Sequence, residues 1–265
     1  MDLSRDLNRA KDAYKSNDVN ALVAAHTQFA PEQHQNTSGK YIKSIVYGGM
    51  DGIITTFAVV AGVVGAELAI GIVLIMGLAN LLGDGLSMGI GDYLSSKSEI
   101  EYQKDERKRE GWEVEHFPEG EKKELIELYQ KRGIAKPDAE KMVELIAKYP
   151  TAWVNIMMIE ELSILESDES PMKNALVTFF SFIVFGSIPL ISYVFMLLIP
   201  NTIGSETNTF ILAICFTAFT LFLLGSSKTK ITGKNWLISG LETLTVGGVA
   251  AGAAYLIGFG LNFLA

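Results

Sequence analysis

The chain keeps its basic residues away from five long stretches that are almost free of charge. Its 22 lysines and arginines all lie in residues 5–43, 97–173 and 228–234. A helix needs about 20 consecutive apolar residues to cross the roughly 30 Å hydrocarbon core of a bilayer, because lipid offers no partner to an unpaired backbone group. Five windows reach that length with two acids or fewer each: residues 44–66, 68–96, 174–205, 207–227 and 235–265. The sequence therefore predicts an all-α polytopic membrane protein with five transmembrane helices, and it excludes a soluble enzyme with one mixed surface.

The distribution of lysine and arginine also predicts an orientation, since cytosolic loops carry an excess of both residues. With five spans, the connecting segments alternate between the two sides of the membrane. The segments 1–43, 97–173 and 228–234 carry 6, 13 and 3 of the basic residues. We expect these three segments to be cytosolic and the C-terminus to lie outside. The predicted layout is a cytosolic arm, a first pair of transmembrane helices, a cytosolic helical metal-binding domain and three further transmembrane helices, over residues 1–40, 41–97, 98–170 and 171–265.

The middle segment is acidic and contains several residues that end helices. Residues 97–170 hold 19 of the 30 acids of the chain. The second span is predicted to continue as a polar helix towards Glu115 and to end before Pro118, because proline lacks an N–H group and clashes with the preceding turn. Gly133 and Pro150 mark the ends of two further helices, and a fourth helix follows Pro150. We expect a compact cytosolic domain of about four helices.

Acidic and amide side chains recur within the first two predicted spans. Asp51 lies in the first span, and the second carries, at intervals of four residues, Asn80, Asp84, Met88 and Asp92. An ionised carboxylate inside a bilayer costs about 3 kcal/mol or more unless it faces water, a partner or a cation. No lysine or arginine lies within any span, so protons, metal cations or a polar cavity remain as counterparts. We expect Asp51 and Asp84 to be functional and Asp92 to lie at the interface, whereas Met88 is either a packing residue or a soft ligand.

A second set of potential metal ligands lies in the acidic segment. Two glutamate pairs with a spacing of three residues flank the break at Pro118, and two methionines and a further glutamate fall within about one turn of the fourth helix. The candidate ligands are Glu110, Glu113, Glu121, Glu124, Met157, Met158 and Glu161. Carboxylates alone suit calcium or magnesium, whereas thioether sulfur shifts the preference to softer divalent metals such as Fe²⁺. Taken singly, the glutamates are typical of a solvated face and the methionines of a core, so only the joint pattern favours a metal site.

Other classes of function fit the sequence poorly. The single cysteine, Cys215, excludes a disulfide framework and a cysteine-based zinc or iron–sulfur site. The formal net charge of −8 disfavours a nucleic-acid binder, which would show a basic face. A ferritin-like di-iron oxidase uses two Glu-x-x-His pairs, and this chain has one, from Glu113 to His116. The remaining classes are a carrier of divalent cations and a membrane-tethered metal-binding sensor that transports nothing.

Two stretches of the chain resemble the vacuolar iron transporter family. The first is the run Tyr41–Gly52, which reads Tyr-Ile-Lys-Ser-Ile-Val-Tyr-Gly-Gly-Met-Asp-Gly, and the second is the run Gly83–Tyr93. The order of five spans, the long second helix that leads into an acidic domain and the glycine-rich fifth span are also similar to that family. The resemblance covers about residues 40–265, and it implies a transporter rather than an enzyme.

The resemblance implies a homodimer in the membrane that exports Fe²⁺ from the cytosol in exchange for protons. The destination would be the vacuole in a plant cell and the outside of the plasma membrane in a prokaryote. Asp51 and Met88 look like the aspartate and methionine of the translocation path, and the seven candidate ligands look like those of the cytosolic metal-binding domain. Some relatives are expected to carry a carboxylate in place of Asn80, so proton coupling here would rest on Asp51 or Asp84, or be weaker. A carrier of Mn²⁺ or another divalent cation fits the same residues.

Overall fold

The computed structural model describes residues 7–27, 41–165, 170–199, 206–229 and 235–264, and its regular structure there is helical. The all-α class predicted from the sequence is confirmed. Parts of the predicted arm (residues 1–6 and 28–40) and of the basic loop (residues 230–234) lie outside the described residues. The helices, numbered in chain order, are α1 (Leu7–Ser16), α2 (Val19–Thr27), α3 (Ile42–Gly65), α4 (Ile70–His116), α5 (Pro118–Lys131), α6 (Lys136–Ile146), α7 (Pro150–Glu160), α8 (Pro171–Gly186), α9 (Ile188–Leu198), α10 (Glu206–Ser227) and α11 (Trp236–Leu261).

Four of these helices, α3, α4, α10 and α11, are long and apolar enough to cross a membrane. Helices α8 and α9 together form a fifth candidate span, bent by 48° at their junction. Large apolar side chains such as Leu82, Val249 and Ile257 are exposed along α4 and α11, as expected of helices whose outer faces meet lipid. The five predicted spans thus correspond to four continuous helices and one bent pair.

The bend between α8 and α9 has a local chemical cause. Pro189 lies in the first turn of α9, and proline can neither donate a backbone hydrogen bond nor fit inside a continuous helix. Ser187 at the junction donates from Oγ to the carbonyl of Val184 at 2.8 Å, which satisfies one of the carbonyls that the break leaves open. The last residue of α8 is Gly186, and a Cβ there would lie 2.8 Å from the carbonyl oxygen of Gly52. The bend therefore occurs where α8 lies against α3.

The described chain divides into two compact units. The first comprises the residues up to 85 together with those from 177 onward, and the second comprises residues 86–176. Within the first unit, α3 packs against α9, α10 and α11, and α10 packs against α11. The first unit therefore contains most of the membrane-spanning residues, arranged around α3.

The glycines around Asp51 allow α8 to lie directly against α3. A Cβ on Gly48 would collide with the carbonyl oxygen of Thr178, and a Cβ on Gly52 would collide with that of Phe182. Small residues permit this approach of two helix backbones, which lipid does not otherwise drive. The packing fixes the position of Asp51, because the aspartate lies between two residues that are held against α8.

The second unit contains the C-terminal part of α4 and three shorter helices. Helix α4 continues to His116, and after Phe117 a new helix begins at Pro118. Helices α6 and α7 also have a proline in their first turn, where the missing N–H group is not needed. The breaks predicted from the prolines are confirmed. The four helices share a hydrophobic core that consists of Val114, Leu125, Tyr129, Ala139, Val143, Trp153, Val154, Met157 and Met158.

Replacing Gly52 by alanine should destabilise the protein, because the added methyl group would collide with the backbone of Phe182. Overpacking of this kind costs about 1–3 kcal/mol, which we expect to see as a lower Tm in detergent micelles. Gly260→Ala is the matched control, since no heavy atom of a neighbour lies within 4 Å of its Cβ position and alanine is favoured over glycine in a helix by about 1 kcal/mol. A Gly52→Ala protein that unfolds at or above the wild-type temperature would contradict this packing.

Candidate metal sites

Five glutamates of the second unit converge at the break between α4 and α5. Carboxylate oxygens of Glu110, Glu113 and Glu121 lie within 4.8 Å of one another. Those of Glu121, Glu124 and Glu161 do so as well, which makes Glu121 common to both groups. We call these five residues the glutamate cluster. The structure thus brings together all five glutamates that the sequence indicated as candidate ligands.

The turn between α4 and α5 produces this convergence. Glu110 and Glu113 lie one helical turn apart near the end of α4, and Glu121 and Glu124 lie one turn apart near the start of α5. Residues three apart share a helix face, so each helix presents two carboxylates on one side. The single residue between the helices, Phe117, reverses the chain so tightly that the two faces meet.

The inner part of the glutamate cluster is buried, and three of its carboxylate oxygens lack a hydrogen-bond partner among the described residues. Glu110 is 1% exposed and Glu121 is 5% exposed. Within the described residues, neither carboxylate oxygen of Glu110 has a hydrogen-bond partner, and Oε2 of Glu121 has none. Ionised carboxylates only accept hydrogen bonds, and leaving them buried without a partner is costly. The geometry therefore favours a shared proton or a bound cation between them.

Electrostatics in the glutamate cluster favours the protonated forms of Glu110, Glu121 and Glu161. Burial, followed by the charges of Glu161, Glu121 and Glu113, raises the pKa of Glu110 to about 8. Burial also raises the pKa of Glu121 and the pKa of Glu161, and the charges of Glu124 and Glu113 add to both shifts, whereas the interaction with Glu110 opposes the shift in the pKa of Glu121. Arg109 opposes the shift in the pKa of Glu161, but it is a smaller influence than burial. At neutral pH, Glu110 thus holds a proton, which a divalent cation would have to displace.

The two candidate methionine ligands lie in the hydrophobic core of the second unit. Met157 and Met158 are 0% and 1% exposed, and they share that core with Val114 and Leu125. Those two core residues directly follow Glu113 and Glu124 in the chain. The thioethers thus belong to the same core as the immediate neighbours of the cluster, and their role as metal ligands remains a prediction.

In the first unit, polar contacts link α3 to α4. Thr56 donates from Oγ1 to the amide oxygen of Asn80 at 3.3 Å, and the amide nitrogen of Asn80 donates to Asp84. Asp51 is half-buried on α3, and the charge of Asp84 acts on it. Three of the four residues predicted for the translocation path, Asp51, Asn80 and Asp84, therefore form one polar group within the first unit.

Thr56 is a member of this polar group that the sequence analysis missed. Its side chain is fully buried in the first unit, and it anchors the amide that holds Asp84. A lone threonine in an apolar span usually bonds to its own helix backbone, so the sequence offers little warning of a contact with another helix. Met88, the fourth predicted path residue, is half-buried on α4 and belongs to the second unit.

The histidine that could have indicated a di-iron enzyme lies outside the glutamate cluster. His116 is exposed, stacks on Trp112 with ring centroids 4.5 Å apart, and has its Nδ1 atom 2.9 Å from the carbonyl oxygen of Trp112. Among the described residues, the two candidate metal groups consist of glutamate alone. The side chains therefore do not form the carboxylate–histidine arrangement of a ferritin-like site.

Comparisons with known proteins match nearly the whole chain. A family model described as the VIT family matches residues 42–259. The chain is 41% identical to a protein of Toxoplasma gondii named vacuolar iron transporter, over 96% of this chain and 88% of that protein. It is 33% identical to a vacuolar iron transporter of Plasmodium falciparum, over 97% and 96% of the two chains. It is also 33% identical to vacuolar iron transporter 1 of Arabidopsis thaliana, over 83% and 86%.

Metal binding to the glutamate cluster should weaken as the pH falls below about 8, because the proton on Glu110 then competes with the metal. A single displaced proton reduces the apparent affinity by about tenfold for each pH unit below that pKa. Calorimetric titration of the full-length protein with Mn²⁺ in buffers of different ionisation enthalpy measures both the affinity and the number of protons released. Glu110→Gln should bind more weakly and lose most of the pH dependence. An affinity that is constant between about pH 6 and about pH 8 would contradict the competition.

Proposed function

The chain belongs to the VIT family of vacuolar iron transporters, and we propose that it exports Fe²⁺ from the cytosol in exchange for protons. Iron transport and a multi-pass membrane location follow from the family and from the apolar helices. The direction of transport and the exchange of protons are our proposal. The observation that carries it is a group of acidic side chains in each unit, the glutamate cluster in one and the group around Asp51 in the other; among the described residues, Glu110, Glu121, Asp51 and Asp84 form no ion pair with a basic side chain.

The charge distribution supports export rather than import. The acidic segment that holds the glutamate cluster also carries 13 of the 22 basic residues, and an excess of lysine and arginine next to membrane spans is typical of the cytosolic side. A cation collector on that side serves a carrier that removes the ion from the cytosol. The named relatives are vacuolar, so the receiving compartment in such cells would be the vacuole. In a prokaryote the same orientation would lead out across the plasma membrane.

Proton exchange is supported by the polar group between α3 and α4. Asp51 and Asp84 repel each other across an apolar region, and either a divalent cation or a proton removes that repulsion. Asp84 already accepts a hydrogen bond from Asn80, which leaves Asp51 as the carboxylate whose charge is least compensated. We therefore assign the competition between Fe²⁺ and the proton to Asp51, and Met88 keeps the role of soft ligand that the family resemblance implies. An amide at position 80 cannot titrate, so Asn80 positions Asp84 and carries no proton itself.

The exposed position of Asp84 supports a homodimer. In one copy of the chain the Asp84 side chain is exposed, about 21 Å along α4 from Ile70 at 1.5 Å per residue. That depth lies within the hydrocarbon, where an ionised carboxylate facing lipid is unfavourable. A second copy that covers this face would replace the lipid with protein and would line the path with the polar groups of both copies.

Replacing Asp51 by alanine should abolish metal flux, because the path would lose the carboxylate at which the ion and the proton compete. The measurement is entry of Fe²⁺ or Mn²⁺ into proteoliposomes under an imposed pH gradient, followed with an internal metal-sensitive dye. Glu242→Gln is a matched control, since it removes a membrane-segment carboxylate that pairs with Lys228 at 3.4 Å and lies outside the proposed path.

Undiminished flux through Asp51→Ala would rule out this assignment of the path. Metal binding without flux in the wild-type protein would instead favour a membrane-tethered sensor. Metal flux that does not respond to the pH gradient would be consistent with iron transport but would contradict the proposed exchange of protons. Light scattering on the detergent-solubilised protein should give the mass of two chains, and the mass of a single chain would exclude the dimer.

Replacing Met157 and Met158 together by leucine should change metal preference with little loss of stability. Leucine conserves the buried volume, so the exchange costs less than about 1.5 kcal/mol, whereas alanine would leave cavities that cost about 2–5 kcal/mol each. If the thioethers are ligands, the double variant should bind Co²⁺ and Fe²⁺ more weakly and Ca²⁺ about as well as before. Unchanged selectivity in calorimetry would reduce the ligand set to the five glutamates.

A further inference from the structure

A cavity of about 510 Å³ lies at one end of the first unit, apart from both candidate metal sites. It occurs where α3 ends, α4 begins, α10 begins and α11 nears its end. Its lining includes the acidic residues Glu67 and Glu206 and the aromatic residues Tyr193, Phe210 and Tyr255. Among the described residues that line it, none is basic. By the distribution of lysine and arginine, this end faces away from the cytosol.

A buried hydroxyl group in the lining has no partner. Tyr193 is 1% exposed, and within the described residues its hydroxyl group makes no hydrogen bond. A buried polar group without a partner is unusual and costs free energy. The charge of Glu206 acts on this hydroxyl group, so the two polar groups are close. A bound ligand that interacts with the Tyr193 hydroxyl group and the Glu206 carboxylate would supply the hydrogen-bond partner that the hydroxyl group lacks.

The second carboxylate is held in place by an unfavourable backbone conformation. Helix α3 ends in a Schellman motif, with hydrogen bonds from Glu67 N to Val64 O at 3.0 Å and from Leu68 N to Val63 O at 3.2 Å. The residue at the left-handed position of this motif is usually glycine, but here it is Glu67, with φ of 55°. Residues other than glycine are strained in this left-handed backbone conformation. The chain accepts this strain and thereby places a carboxylate at the cavity.

We propose that this cavity, the outer vestibule, binds a hydrated divalent cation between Glu67, Glu206 and the Tyr193 hydroxyl group. Six waters at about 30 Å³ each fit well within its volume, so the ion can keep its hydration shell and bind the carboxylates through water. Binding of this kind is weak and reversible, which suits a place of release. The role in release rests on the proposed export of Fe²⁺, whereas the binding itself does not.

The lone cysteine of the chain provides a probe. Cys215 is exposed on α10 and follows Glu206 by nine residues, which is about 14 Å along the helix. A nitroxide attached there loses electron paramagnetic resonance amplitude when Mn²⁺ binds nearby. The experiment titrates Mn²⁺ into the labelled full-length protein and into its variants, all reconstituted in nanodiscs.

The wild-type protein should show a saturable loss of nitroxide amplitude. Glu67→Gly combined with Glu206→Gln should need about a hundredfold more Mn²⁺, because each unit charge about 6 Å from a divalent ion contributes about tenfold in water and the double variant removes two. Glycine relieves the strained backbone, so the Glu67→Gly protein should unfold at the same or a higher temperature. Tyr193→Phe should shift the curve in the same direction by a smaller factor, and Glu242→Gln should leave it unchanged.

Two outcomes would contradict the proposal that the outer vestibule binds a divalent cation. One is a titration curve that is the same in the Glu67→Gly, Glu206→Gln double variant as in the wild type. The other is displacement of the Mn²⁺ by tetramethylammonium but not by Ca²⁺, which would indicate an aromatic site for organic cations. Asp51→Asn separates this proposal from the proposed function. If Asp51→Asn abolishes flux but leaves the Mn²⁺ titration curve unchanged, both the proposed function and the outer vestibule are supported. If Asp51→Asn keeps flux while the outer vestibule titrates as expected, only the assignment of the translocation path to Asp51 is wrong.

Discussion

Repulsion between neighbouring carboxylates governs both candidate sites of this protein. Two unit charges about 5 Å apart repel by roughly 3 kcal/mol at an effective dielectric constant of about 20. The glutamate cluster carries a cost of this kind when it is ionised, the charge of Asp84 acts on Asp51 in the same sense, and a cation or a proton relieves the repulsion in each case. In the proposed exchange, iron and protons compete for the same groups, and replacing one by the other requires no additional device at the sites themselves.

The rest of the fold holds these repelling groups together. In the second unit, the one-residue break at Phe117 and the shared hydrophobic core fix the facing ends of α4 and α5. In the first unit, Gly48 and Gly52 let α8 lie against the helix that carries Asp51, while Thr56 and Asn80 orient Asp84. Packing and hydrogen bonding on the apolar side of each site thus offset the electrostatic cost on its polar side.

The sequence predicted the helices well because their ends have local causes. Pro118 and Pro150 mark helix starts whatever the tertiary structure is, and uncharged windows of membrane length identify spans without knowledge of their neighbours. The spacing of Glu110 and Glu113 predicted a shared face, but not that the turn at Phe117 would bring Glu121 within 4.8 Å. The contact of Thr56 with Asn80 and the cavity next to Tyr193 depend on how the helices pack against one another, so no pattern along the chain predicted them.

Ferrous iron generates strong oxidants when it meets peroxide, and methionine sulfur is among the groups they attack. Conversion of a thioether to a sulfoxide turns an apolar side chain into a polar one and disrupts the core around it. Met157 and Met158 are closed off from solvent by that same core, so dissolved peroxide reaches them only when the second unit opens. In the ligand set proposed above, these thioethers can therefore persist next to a redox-active ion, and the lifetime of the protein in the presence of peroxide depends on how seldom those helices separate.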